Sequence, residues 1–360
     1  MTFPIENTAL HLELTDKCQA SCPMCPRNHY GGKERSHIEN VDISLEKFKQ
    51  WFPKEYLYNS VNYVYACGNN GDPLMAKDCL EIFTYLRESC KPETLLTINT
   101  NGSLRDKSWW TKLASVMGKH GVVVFAIDGF EGEHELYRRG TYWNKIIENA
   151  KAFIAAGGRA RSDTLIFKHN QERVLELEKY LLDIGFESVN LKPTNRFYGM
   201  NKFPVYNKKH ETEYFLEPTD DLRWASNLPQ PNYVRLVKME EYKKMLSEVK
   251  VDPHCMKGHT LYINAYGKVY PCCWVGSLVE NSDIESVATV EEQILRSRLA
   301  LSAVRMMDEL GHINLHEANT DILTELKRVD WGSKITKYFT TDVQMVCAKS
   351  CGTNILEVIK

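Results

Sequence analysis

The chain lacks any apolar run of the ~18 residues that a membrane-spanning helix needs. Its first ten residues, MTFPIENTAL, do not join a basic region to an apolar one, so no secretory signal is expected there. An excess of one charge is also missing: 45 Lys and Arg stand against 47 Asp and Glu, for a formal net charge of -2 and a pI near 6.6. No global basic field advertises nucleic-acid binding, and a large RNA substrate is disfavoured. Internal repeats and low-complexity tracts are absent too, so a repeat array is not expected. With 43% hydrophobic residues and a mean hydropathy of -0.39, what remains is an ordinary globular protein, expected in a reducing cytoplasm. There, eleven cysteines are not a disulfide framework, and clustered ones read as metal ligands or redox groups.

What is present is organised. The 360 residues suffice for a sizeable core and two modules. HLELT (11–15), VNYVYA (61–66), TLLTIN (94–99), VVVFAID (122–128), DTLIF (163–167) and SVNLK (188–192) read as strands, rich in β-branched and aromatic residues. Helix-like segments alternate with them: SLEKFKQWF, DCLEIFTYLRE, KSWWTKLASVM, WNKIIENAKAFIAAGG, closed by a glycine pair, and QERVLELEKYLLDIG. Six strands alternating with helices imply parallel βα units. An open doubly wound sheet and a partial (β/α) barrel both satisfy this pattern, and in either the functional loops follow the C-terminal strand ends. After Lys192 the pattern breaks. Within residues 195–254, FPVYNKKHETEYFLEP predicts a hairpin, and a second cysteine region begins with CMKGHTLYINAYGKVYPCCW, whose apolar runs predict a hairpin turning at Gly267. A helix is predicted over about 289–308, and VCAKSCGTN closes the chemistry-bearing part of the chain.

The densest chemistry lies in CQASCPMC, where Cys18, Cys22 and Cys25 have the spacing C-x3-C-x2-C just beyond the first strand. A loop there can wrap three thiolates around one centre and leave one coordination position open for chemistry. His29 could complete a zinc site, so zinc stays open as an alternative.

The triplet, placed after strand one of a βα repeat, resembles the signature of the radical S-adenosylmethionine (radical SAM) superfamily, C-x3-C-x-φ-C, with Met24 as the apolar φ. GNNGDP (68–73) is similar to the Gly-Gly-Glu-Pro-like segment that ends the second strand in that family, with Asn70 and Asp72 departing from it. NTNG (99–102), AIDG (126–129), HELYRR (134–139) and LIFKHN (165–170) extend the resemblance over most of the chain. Ala126 stands where several relatives have Ser. The resemblance implies a partial (β/α)6 barrel of radical SAM type with a smaller C-terminal α+β domain of the SPASM or twitch kind. It implies a [4Fe–4S] cluster on Cys18, Cys22 and Cys25, whose remaining iron chelates S-adenosylmethionine, and reductive cleavage to a 5′-deoxyadenosyl radical that abstracts hydrogen from a substrate. Met24, Gly71, Asp72, Asn101, Asp128 and Arg138 are the implied cofactor-binding residues. The glycine-rich turn would expose backbone groups to the methionine end, and Arg138 would pair with its carboxylate.

Gly267 precedes Cys272 by five positions, the G-x4-C spacing that resembles SPASM and twitch domains. On that resemblance a second, auxiliary [4Fe–4S] cluster is expected on Cys255, Cys272, Cys347 and Cys351. Adjacent strand residues point to opposite faces, so Cys273 competes with Cys272 rather than joining it. The C-x2-C-x5-C run of the full SPASM pattern is absent, which favours one auxiliary cluster. A closed four-cysteine zinc site is the alternative. Cys79 and Cys90 read as small buried hydrophobes, and Cys67 has no neighbour that argues for a ligand role.

The expected organisation is a barrel over 1–195, a connecting hairpin and linker over 196–254, and an auxiliary iron–sulfur domain over 255–360. The expected function is a radical SAM oxidoreductase or modifying enzyme fed by a reductant such as flavodoxin or ferredoxin. It would act on a peptide or protein side chain or on a small molecule. Only about ten residues precede the first predicted strand, which disfavours a fused leader-binding domain but leaves a separate carrier open. The competing class is a non-catalytic iron–sulfur electron carrier or a zinc-stapled binding protein. Asp128, His169 and Arg196 are candidates for catalytic positions in the cleft. The aromatic-rich middle (Phe197, Tyr198, Phe203, Tyr206, Tyr214, Phe215) reads either as packing or as a substrate-cleft wall.

Overall fold

The computed structural model describes residues 8–194, 196–197, 200–224, 239–280 and 290–354. Tyr198, one of the aromatic residues singled out above, lies outside the described residues. The chain divides into two compact units, one of residues 12–45 and 64–227, the other of residues 1–11, 46–63 and 228–360. The boundary passes through the first two strands.

The strands are β1 (Thr8–Leu12), β2 (Val61–Ala66), β3 (Leu95–Thr100), β4 (Gly121–Ala126), β5 (Ala160–Ile166) and β6 (Ser188–Pro193), side by side in that order. β3 to β6 run parallel, with Asn99 opposite Val124, Ala126 opposite Asp163 and Asp163 opposite Asn190. Parallel neighbours require crossovers, and helices Cys79–Ser89, Lys107–Met117, Trp143–Ala155 and Val174–Asp183 supply them. β5 shows the two faces: Ala160, Ser162, Thr164 and Ile166 are buried, while Arg161, Asp163 and Leu165 are not. On the helix side, Trp110 stacks on Phe125 with ring centroids 5.2 Å apart and meets Phe153 edge-on at 5.9 Å. Truncating such a ring to Ala costs about 3–5 kcal/mol.

Local chemistry sets the helix ends. The Asp106 carboxylate accepts the Trp109 N–H at 2.8 Å and caps helix Lys107–Met117. The glycine pair expected to close the next helix does so: Gly157, at φ +86°, donates to Ile154 O, and Gly158 donates to Phe153 O. Gly102, at φ +74°, has the Phe125 ring where a Cβ would stand, so the turn after β3 packs directly on the core.

β1 begins three residues earlier than the run HLELT suggests. The alternation misled because its polar members face no solvent: His11, Glu13 and Thr15 are all at most 4% exposed. Each is a buried polar group, and Glu13 and Thr15 have specific partners described below. β5 likewise starts earlier, because Arg161 and Ser162 already pair with β6.

The predicted hairpin is present as β7 (Phe203–Tyr206) and β8 (Thr212–Leu216), turning with His210 at φ +64°. The other unit holds the antiparallel strands β9 (Thr260–Ile263), β10 (Lys268–Tyr270) and β11 (Ile313–Asn314), with helices Cys273–Glu280, Val290–Leu310 and Met345–Cys351, an α+β composition. β9 and β10 turn at Gly267, as the sequence predicts. Gly267 has φ +77°, and a Cβ there would crowd the Trp51 ring and the His316 N–H, each at 3.0 Å. Among the described residues no helix is long and apolar enough to cross a membrane.

Candidate functional site

Cys18, Cys22 and Cys25 lie on the loop that leaves β1, and buried polar contacts hold that loop. The Asp16 carboxylate accepts the N–H groups of Glu39, Asn40 and Val41 at 2.9, 3.0 and 2.7 Å. Arg27, 2% exposed, donates to the Asp16 carbonyl and pairs with Glu34. The Thr15 hydroxyl donates to Asp42 at 2.6 Å, and Lys17 pairs with the same carboxylate at 2.7 Å. Within the loop, Cys25 N–H donates to Cys22 O at 3.0 Å.

The three sulfurs are within electrostatic reach of one another. Burial pushes the Cys22 thiol up to about 11, with Arg138 opposing the shift and Cys25 adding to it. Burial also pushes Cys18 up, reinforced by the charges of Asp72 and Cys22. Such thiols stay protonated at neutral pH unless a metal takes the sulfur. Among the described residues, no three His, Cys, Asp or Glu side chains converge tightly enough to hold a single metal ion. A four-iron cube asks less convergence, since each thiolate binds its own iron. Three soft sulfur donors on one loop fit that group.

The turn after β2 is held by buried carboxylates. Glu13, 0% exposed, accepts the N–H of Asn70 at 2.6 Å and of Gly71 at 3.0 Å through one carboxylate oxygen, and Asp72 N–H donates to Lys17 O at 2.9 Å. Three consecutive N–H groups are thus spent inside the protein. The carbonyls of the turn are acceptors, the kind of group a ligand's ammonium needs. Gly71 is required because a Cβ there would collide with the Thr15 carbonyl. Asp72 is buried as well. Its carboxylate accepts from Leu74 N (3.0 Å), Thr100 Oγ1 (2.9 Å), Asn101 N (2.8 Å) and Asn101 Nδ2 (2.6 Å). Burial raises its pKa, and these donors oppose the rise. Asp72 therefore organises the end of β3, and Asn101 is the group it presents. The Asn101 amide reaches Cys18 Sγ at 3.9 Å, and its Oδ1 accepts from Gln19 Nε2 at 2.7 Å.

After β4, Asp128 is fully buried. Its carboxylate accepts Arg138 Nε at 2.5 Å and Leu165 N at 2.6 Å. The charge of Arg138 acts on Cys22, which places the guanidinium beside the cysteine loop. His134, also 0% exposed, accepts the Asp128 N–H on Nδ1 at 3.1 Å, which puts its proton on Nε2, 2.9 Å from Thr141 Oγ1. Thr141 in turn donates to Arg138 O at 2.6 Å. One neutral imidazole thus ties Asp128 to the turn carrying Arg138, and burial depresses its pKa to about 3.

The remaining sequence candidates gather at the same strand ends. His169 stacks on Phe167 at 5.2 Å, its Nε2 is buried without a partner, and burial lowers its pKa to about 4. Arg196 donates to Met24 O at 3.2 Å. The Met24 side chain, 6% exposed, packs in an apolar cluster with Cys22, Tyr30 and Tyr137. In the other unit, Cys255, Cys272 and Cys347 act on one another and with Cys351 electrostatically, and burial raises Cys255, Cys272 and Cys347, Cys272 to about 11. Cys272 precedes helix Cys273–Glu280, and its sulfur accepts the N–H groups of Val275 and Trp274.

No family model and no curated protein matches the sequence. Solved structures match by fold. Native anSMEcpe with bound AdoMet aligns at TM-score 0.50 and 19% identity, over 74% of each chain. This is the partial barrel of the radical SAM fold. Streptococcus suis SuiB bound to precursor peptide SuiA aligns at TM-score 0.49 and 17% identity, over 81% of this chain. The chain spans 62% of the length of that SuiB chain.

Within the radical SAM fold, sequence reasoning missed Glu13, Gln19, His134 and Asn170, whose Nδ2 donates to Asp128 O at 2.7 Å. Glu13 read as one of the polar positions of the alternating run HLELT. His134 and Asn170 lie in the HELYRR and LIFKHN segments, but their individual roles depend on partners 6 and 42 residues away.

Proposed function

We propose that the chain is a radical SAM enzyme that binds a [4Fe–4S] cluster on Cys18, Cys22 and Cys25. The observation that carries this reading is the gathering, at the C-terminal strand ends, of the buried Cys22 and the half-buried Cys18 and Cys25 with the Asp72–Asn101 and Asp128–Arg138 pairs. When bound, the cluster and S-adenosylmethionine supply reductive sulfonium cleavage and the 5′-deoxyadenosyl radical. The chain's own residues hold and orient. Asp128 uses one oxygen to fix Arg138 Nε, so the terminal guanidinium nitrogens are left for bidentate pairing with a carboxylate. The carbonyls of the Gly68–Gly71 turn accept from an ammonium. Asn101 donates toward Cys18 and accepts from Gln19, fixing the loop beside the metal-binding thiols.

We further read Cys255, Cys272, Cys347 and Cys351 as ligands of one auxiliary [4Fe–4S] cluster serving electron transfer. The substrate is a peptide side chain or a small molecule, and the electron donor a flavodoxin or ferredoxin in the cytoplasm. The test is anaerobic reconstitution followed by reduction with dithionite in the presence of S-adenosylmethionine. Release of 5′-deoxyadenosine with about seven to eight irons per chain supports the reading. A fully loaded sample that releases none is an electron carrier, and stoichiometric zinc in place of iron makes it a stapled binding protein.

A further inference from the structure

Hairpin β7–β8 is bound to the cysteine loop by contacts that the barrel fold itself does not require. Tyr206 N–H donates to Tyr30 O at 2.8 Å. Arg139 joins three segments: Nη1 donates to Tyr206 O at 2.6 Å and to Gly31 O at 3.4 Å, Nη2 pairs with Glu213 at 2.5 Å, and its own carbonyl accepts Ser21 N–H at 2.7 Å. The Tyr30 ring meets Phe203 at 5.1 Å and Tyr206 at 5.2 Å. Gly32 lies so close to the hairpin that a Cβ would stand 2.6 Å from Asn207 O. Below these contacts, Phe203, Val205 and Leu216, each at most 2% exposed, share one apolar cluster with Cys22 and Met24, and the half-buried Cys18 and Cys25 pack against it.

The aromatic middle of the chain is therefore the outer wall of the cysteine loop. We propose that the hairpin controls solvent access to the metal centre on Cys18, Cys22 and Cys25, and that Arg139 is the positioning residue that fastens it there. Arg138 and Arg139, adjacent in sequence, have separate tasks: the first faces inward to Asp128, the second outward to the hairpin. An apolar wall excludes water and competing ligands from an iron–sulfur site, which governs both its lability and its spectroscopic environment. This inference depends on the cluster assignment above.

The experiment loads wild type, Arg139→Ala, Arg139→Lys and Phe203→Ser anaerobically, then follows iron release to bathophenanthroline and the EPR spectrum after dithionite reduction. Arg139→Ala and Phe203→Ser are expected to start with wild-type iron content, to lose the barrel-site iron at least tenfold faster, and to broaden its EPR signal. Arg139→Lys, which keeps the charge but not the fork, falls between them and supplies the measurement should the alanine variant fail to fold. Wild-type release rates and spectra in Arg139→Ala and Phe203→Ser overturn the role of the hairpin. Wild-type iron content unchanged by replacing Cys18, Cys22 and Cys25 overturns the cluster assignment instead, and the inference with it.

Discussion

The side-chain amide of Asn101 stands 3.9 Å from the sulfur of Cys18, and the carboxylate of Asp72 holds it there at 2.6 Å. Three strand ends meet in that contact. The first prediction concerns Asn101 and Asp72. Asn101→Ala should leave the fold intact and lower S-adenosylmethionine cleavage roughly ten- to hundredfold, as loss of a positioned polar contact does. Asp72→Ala leaves buried donors on Thr100, Asn101 and Leu74 without an acceptor. It should destabilise the protein by about 2–4 kcal/mol. Urea unfolding and 5′-deoxyadenosine assays separate the two outcomes, and an Asn101→Ala variant that cleaves at the wild-type rate would remove Asn101 from the site.

Replacing Cys18, Cys22 or Cys25 with Ala should abolish 5′-deoxyadenosine release and lower iron from about seven to eight to about four per chain. Cys22 lies in an apolar cluster and the half-buried Cys18 and Cys25 pack against it, so the small side chain is tolerated and the variants should stay folded by circular dichroism. Cleavage persisting in Cys18→Ala would contradict the assignment outright.

Cluster uptake should depend on pH in a known direction. Cys22 is pushed up to about 11, mainly by burial, and iron binds the thiolate. Below that value each unit of rising pH frees the sulfur tenfold more readily, so loading at limiting iron should improve from pH 7 to pH 9. Iron uptake across that range, measured by absorbance, tests the sign. Uptake that falls with rising pH would show the buried sulfurs to be bystanders.

Much of this site was legible in the sequence because its strongest signals are local. The thiol spacing, the β2 turn and the β4 turn each lie within a few consecutive residues of a strand end, and the strands followed the β-branched runs. What was not legible is long-range. Glu13 captures the N–H groups of a turn 57 residues away, a pairing that no local pattern announces. The hairpin residue Phe203 read either as packing or as a cleft wall, and only the fold shows that it packs, with Val205, on the cysteine loop. The start of β1 was misplaced for a related reason. Alternation reports a solvent face only when the polar residues reach solvent, and here they are paired inside.

His134 ties its site to acid stability. Its folded pKa of about 3 lies below the ordinary 6.5 because the ring is buried and neutral. The unfolded chain therefore binds more protons between those values, and stability is present above pH 6.5 and lost as pH falls toward 3. The contribution is on the order of 3–5 kcal/mol. His134→Gln keeps a hydrogen-bonding amide but no titrating ring. It should flatten the pH dependence of urea unfolding in that window, while an unchanged slope would place the acid-sensitive group elsewhere.

The last prediction separates two adjacent cysteines. Cys272 interacts electrostatically with Cys255, Cys347 and Cys351, and its sulfur accepts two backbone N–H groups at the start of a helix, an arrangement that favours a thiolate ligand. Cys273 is the first residue of that helix, so its side chain departs in another direction. Cys272→Ala should therefore lower iron to about four per chain while retaining the barrel cluster's EPR signal, whereas Cys273→Ala should hold about seven to eight. The reverse pattern would assign the auxiliary ligand to Cys273. Undiminished iron in both variants would remove both cysteines from the auxiliary site.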